Sequence, residues 1–153
     1  MPKPTFTKRA ATEHEIQAAI VDALRLAGFT VRETTAYKQK GPSGVDKGIA
    51  DLLIFHEYLS QGQIGACLCL EVKPPGNWKF SSVEQKIALS KGEFFIVTEP
   101  KRALMLANSW LEFNVRALAM LDGLHIVERF APAINKSRAA LKALRESDGE
   151  VTV

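Results

Sequence analysis

Long apolar runs are missing from this chain. No segment reaches the roughly 20 continuous apolar residues that a membrane span requires, so no membrane association is expected. Met1 to Arg9 carries prolines and charges and no apolar stretch, which argues against a secretory signal. These two absences place the expected location in the cytoplasm. Cysteine is also scarce, and the only pair, Cys67 and Cys69, stands two apart in the apolar run Ala66 to Leu70. A strand would point both to one face, where neighbours rarely bond to each other, and His14, His56 and His125 lack the spacing of a zinc site around them. Reduced packing residues are the expected reading. Net charge is small, at +3 with a pI near 8.9. That balance permits a polyanionic partner without demanding one. Internal repeats and low-complexity tracts are absent.

What is present suits one soluble domain spanning 1–153: 46% hydrophobic and 24% charged residues in a chain long enough to bury its own core. Thr12 opens a helix, its hydroxyl capping free amides while Glu15, three residues on, reaches back in a capping box. Ile16, Ile20, Leu24 and Ala27 recur at helical spacing, and Gly28 supplies the stop. Phe29 to Thr35 reads as a strand, Ala36 to Gly48 as a mobile loop carrying Lys38, Lys40 and Lys47, and Ile49 to Phe55 as a second strand interrupted only by Asp51.

Ser60 to Gln63 has turn composition, and Ala66 to Lys73 is a third strand, so the two strands are expected to form an antiparallel hairpin. A turn near Gln61 pairs residues whose numbers sum to about 122 to 124, bringing Asp51 alongside Glu71 to Lys73. Pro74-Pro75-Gly76 ends that strand, Ser81 or Ser82 caps a helix to about Lys91, and Phe94 to Val97 follows as a strand parallel to the third. Further on, Ala103 to Leu121 reads as helix, His125 to Phe130 as a short strand and Ile134 to Arg145 as helix. Arg138, Lys142 and Arg145 fall on one face of that last segment; a solvated face is the plain reading, with duplex binding or dimer packing as sharper ones.

The chemistry concentrates in the third strand. Glu71 and Lys73, two apart, project to one face, while Leu68, Leu70 and Val72 take the other. An acid and a lysine therefore share a cleft with Asp51. Hydrolysing a phosphodiester requires neutralising charge on phosphate oxygens, activating water and stabilising the leaving alkoxide. Two converging carboxylates suit Mg²⁺ or Mn²⁺, hard cations that take oxygen ligands and keep waters. A lone Glu-x-Lys is usually a surface salt bridge; here an acid inside an apolar strand and the hairpin geometry favour the chemical reading.

These segments together resemble the virus-type replication-repair nuclease (VRR-Nuc) family of the PD-(D/E)xK nuclease superfamily. The likeness rests on Glu13-His14-Glu15-Ile16-Gln17 opening a helix, Gly48-Ile49-Ala50-Asp51-Leu52, Leu70-Glu71-Val72-Lys73, and Phe80-Ser81-Ser82-Val83-Glu84-Gln85 ahead of a helix and a strand. It covers residues 12–107 as a nuclease core and leaves 108–153 as a mainly helical C-terminal extension. The resemblance implies an α/β restriction-endonuclease-like fold, an α-β-β-β-α-β core whose mixed sheet is flanked by helices. It also implies a site of Glu13, Asp51, Glu71, Gln85 and Lys73, with the Val72 carbonyl as an added metal ligand and Lys73 assisting the attacking water. Ala50 stands where the family's proline is usual, a change of backbone shape more than of chemistry. Glu13 and Glu15 both remain candidates for the helix-one glutamate; the capping role of Glu15 favours Glu13. Gln85 has a rival role three residues after Ser82 in a capping box, and Gln17 reads as solvated or as a support of the site.

The expected function is metal-dependent cleavage of DNA, structure-selective on branched or Holliday-junction DNA, in phage or mobile-element replication, recombination or repair, within a bacterial or phage-infected cell. A homodimer is compatible with it. Arg32, Lys38, Lys40, Lys47 and Lys79 are the expected phosphate contacts, and Trp78 a stacking candidate. Two rivals stand beside this reading: a restriction-type or archaeal-type junction endonuclease with the same metal chemistry, and a non-catalytic DNA-binding or packaging accessory module on the same fold.

Overall fold

Structure is described for residues 9–34, 50–56, 67–76, 91–92 and 94–148 in a computed structural model. The first element is helix α1, Glu13–Leu26, and it begins where the capping residues place it. The Thr12 hydroxyl accepts from the Glu15 amide at 3.2 Å, and the Glu15 carboxylate accepts from the Thr12 amide at 2.7 Å. The helix ends in a Schellman motif: the Gly28 amide donates to the Arg25 carbonyl and the Phe29 amide to the Leu24 carbonyl, at 3.0 and 3.1 Å. Gly28 adopts φ +98°, which a side chain would resist. Buried Leu24 and Phe29 bracket the turn and aim the chain into the sheet.

The sheet has four strands in the order β1-β2-β3-β4, namely Thr30–Glu33, Leu52–Phe55, Leu68–Val72 and Phe95–Val97. β1 to β3 run antiparallel in sequence and β3 pairs with β4 in parallel, so the sheet is mixed. The β2–β3 register pairs Leu52 with Leu70 and Ile54 with Leu68, the low end of the expected range. Leu52, Ile54, Leu70 and Val72 each lose essentially all solvent contact against α1 and the C-terminal helices. Burying side chains of this size is worth about 1.5–3 kcal/mol each, enough to hold the register.

Helix α2, Pro100–Asp122, follows β4 directly, with Pro100 in its first turn, where a missing amide costs nothing. Gly123, at φ +103°, joins it to helix α3, His125–Ser147. The sequence predicts a short strand over His125–Phe130 and a separate helix from Ile134; instead one helix runs through both. Ile126, Phe130, Ser137 and Leu141 are buried at spacings of one helical face, and that burial outweighs the interior Pro132. α2 and α3 pack against each other, and α2 also packs on α1 and on β3 and β4. Leu111, Val115, Ile126, Phe130 and Leu141 belong to the same apolar cluster as Leu70 and Ile20. The fold is therefore α/β, a four-stranded mixed sheet with three helices among the described residues. No helix among them is long and apolar enough to cross a membrane.

Candidate metal and phosphodiester site

Alternation sorts each strand into two faces. Across the sheet, Arg32 pairs with Leu53 and Leu53 with Cys69, so these side chains share the face of Glu71, opposite the helices. The β2–β3 pairing ends at Leu52 with Leu70, which leaves Asp51 just outside β2 beside the end of β3 that carries Glu71. Both acids are buried, Asp51 at 8% and Glu71 at 1% exposure, and Lys73 is buried beside them at 7%. Carboxylates withdrawn from water need compensation, and each finds some here.

Asp51 sits immediately before β2, where its side chain replaces a rung of the ladder: Oδ2 accepts from the Val72 amide at 2.9 Å. A charged acceptor makes such a bond stronger than its backbone counterpart. An extended residue sends its amide and carbonyl to the same side, so the Val72 carbonyl also projects toward the edge occupied by Asp51. Glu71 Oε1 lies 3.2 Å from Lys73 Nζ. The Lys73 amide donates to the Val97 carbonyl at 3.0 Å, so the end of β3 is tied to β4 on one side and to Asp51 on the other.

Thr34, which belongs to none of the sequence motifs, fixes Asp51 from behind. Its hydroxyl donates to the Ala50 carbonyl at 2.6 Å and its amide to the Asp51 carbonyl at 2.9 Å. The position is visible in the sequence as a hydroxyl at the end of the first strand, but only tertiary pairing shows which backbone it holds.

Asp51, Glu71, Val72 and Lys73 thus come together as expected. Glu13 is exposed in the first turn of α1, and among the described residues no three His, Cys, Asp or Glu side chains gather into a group that could hold a metal ion. Glu15 is engaged in the capping box, as expected, and the amide and hydroxyl of Thr12, with Arg9, hold its carboxyl below its ordinary value of 4.5. Gln17 is buried rather than solvated, because its turn of α1 faces β1, and its amide donates to Glu33 Oε1 at 3.2 Å. Arg32 lies with its guanidinium over the Phe55 ring, 5.8 Å from the centroid. Gln85, Lys38, Lys40, Lys47, Trp78 and Lys79 lie outside the described residues.

The sulfurs of Cys67 and Cys69 share a face and approach to 4.0 Å without a disulfide. Cys67 is exposed, so packing does not describe it; its contact with Cys69 pushes its thiol upward, toward the protonated form. His56 is a core residue, edge-on to Phe29 at 6.0 Å and tilted against Phe130 at 6.2 Å.

The donor set fits a hard divalent cation: two carboxylates and a backbone carbonyl, all oxygen, beside a lysine. No family model, curated protein or solved structure matches the chain.

Proposed function

We propose that this protein is a Mg²⁺- or Mn²⁺-dependent nuclease that hydrolyses DNA phosphodiester bonds, on the pattern of the VRR-Nuc family of PD-(D/E)xK nucleases. One observation carries the reading: two buried carboxylates, Asp51 just before β2 and Glu71 on β3, lie at one end of the sheet, with Asp51 bonded to the Val72 amide and Lys73 against Glu71. A core salt bridge alone would not call for the second acid.

In this reading Asp51, Glu71 and the Val72 carbonyl hold the cation, which supplies charge neutralisation at the phosphate and a more acidic water when bound. The Val72 amide fixes the rotamer of Asp51, and Thr34 fixes its backbone. Lys73, 3.2 Å from Glu71, would orient the attacking water and stabilise negative charge on the phosphate oxygens. Water would attack phosphorus as the P–O bond to the leaving alkoxide breaks, its proton passing to solvent and the alkoxide taking one up from solvent, with no covalent enzyme intermediate. Gln85 and Glu13 are the residues the resemblance adds to this set. Arg32, with Lys38, Lys40, Lys47 and Lys79, would meet the backbone phosphates. Branched or junction DNA is the substrate the resemblance favours, in phage or mobile-element replication, recombination or repair.

A non-catalytic DNA-binding module has one observation in its favour, the existing Lys73–Glu71 ion pair, which gives both side chains a structural occupation. The readings separate when purified protein is incubated with labelled Holliday-junction, flap, single-stranded and duplex DNA in Mg²⁺, Mn²⁺ or chelator. Metal-dependent cleavage of any of these supports the nuclease; binding without cleavage of all of them supports the module.

A further inference from the structure

Away from the carboxylates, α2 and α3 enclose an open cleft of about 310 Å³. One wall is cationic, formed by Arg138, Lys142 and Arg145 of α3, and faces Asn108 and Ser109 of α2. Met105 and Leu141 complete the lining, which contains no carboxylate. Glu112, outside the lining, takes both Nε and Nη2 of Arg138 on one oxygen at 2.5 Å and holds that guanidinium in place. Lys142 is only loosely engaged, with Glu146 at 3.9 Å and both side chains largely exposed. Arg138 and Lys142 are solvated, as their spacing suggests, and with Arg145 they also form one wall of the cleft opposite hydrogen-bonding groups.

We infer that this cleft seats the phosphodiester backbone of a nucleic acid, as a second contact for the polymer that the carboxylate site cleaves. The volume suits a phosphate with part of its sugar. Arg138 to Arg145 spans about 10 Å along α3 at 1.5 Å per residue, close to three base steps of one strand at 3.4 Å each. Charge complementarity selects the occupant: a polyanion meets three cations and no carboxylate in the lining. Backbone contacts of this kind give affinity and register without reading sequence.

The inference rests on the nuclease reading for its polymer, so its test measures binding rather than cleavage. Fluorescently labelled duplex is titrated with the full chain in chelator across a salt series, using wild type, Lys142→Ala/Arg145→Ala, and Arg116→Ala, which removes an exposed cation outside the cleft. The double variant is expected to bind about tenfold more weakly near 0.1 M salt. The slope of log affinity against log salt should fall by about 1.8, or about 0.9 for each phosphate that is no longer neutralised. Arg116→Ala should stay near wild type, and Lys142→Arg/Arg145→Lys should keep the full slope, showing that charge at the site and not helix damage is measured. Equal losses in Arg116→Ala and the double variant, or an unchanged slope in the double variant, overturn the seat. Thermal stabilisation by a free mononucleotide without duplex binding overturns the polymer assignment. Wild-type protein that binds duplex through these residues yet never cleaves with metal leaves the seat standing and sinks the nuclease reading alone.

Discussion

The two faces of one sheet obey different rules. Toward the helices, β2 and β3 present Leu52, Ile54, Leu70 and Val72, all buried in a continuous apolar cluster. On the other side stand Glu71 of β3, with Lys73 just past that strand and Asp51 just before β2, all buried too. The first face stabilises by burial and the second opposes folding, because charges leave water and recover only part of their hydration from one another. Folding therefore leans on one face to hold the other ready.

Truncating the supporting face should have the largest effect on stability. Leu70→Ala is expected to lower the free energy of unfolding by about 3 kcal/mol, since a fully buried leucine leaves a cavity, as read from urea denaturation. On the charged face, Glu71→Gln strands the buried ammonium of Lys73 and should cost about 3 kcal/mol, whereas Glu71→Gln with Lys73→Met removes both charges and should recover most of that loss. Additive losses in the cycle would mean that the pair is not coupled as its 3.2 Å contact implies. Thr34→Val deletes the hydroxyl bond to Ala50 and should cost about 1 kcal/mol. Because Asp51 then loosens, the same variant should raise the metal concentration needed for half-maximal cleavage.

The smallest effect lies farthest from the sheet. The folded-state pKa of Glu15 is depressed, chiefly by the Thr12 amide, so its contribution is present above 4.5 and fades as pH falls through the lower folded value. Glu15→Gln should lower the melting temperature slightly at pH 7 and converge with wild type as pH falls below 4.5, flattening the acid limb of a thermal-melt pH profile. A large change at neutral pH would give Glu15 a role beyond the cap.

How much of this is legible in the sequence depends on the range of the interaction. The Thr12–Glu15 box and the Gly28 stop are local, and both stand where composition places them. The approach of Asp51 to the Glu71–Lys73 end of β3 is legible because strand alternation and a turn together define a register, which pairs Leu52 with Leu70. Gln17 is not, since a mid-helix glutamine looks the same whether it meets solvent or Glu33. Over His125 to Phe130 the sequence suggests the wrong period, and the residue before a proline suggests a break that packing of Ile126 and Phe130 overrides. The stripe Arg138, Lys142, Arg145 is visible as one face, but its partner wall on α2 belongs to tertiary structure.

The most direct test of the charged face is metal-dependent cleavage by Asp51→Asn. The substitution keeps an oxygen to accept the Val72 amide, so the fold should melt within a few degrees of wild type, while the lost carboxylate charge would weaken the proposed metal site. Cleavage of the preferred DNA in Mg²⁺ or Mn²⁺ is expected to fall by about 10³-fold or more, equivalent to about 4 kcal/mol of transition-state stabilisation. Lys73→Met should fall comparably, and Glu13→Gln by less, since Glu13 is exposed in the first turn of α1. Wild-type cleavage that survives intact in a folded Asp51→Asn protein would contradict the account.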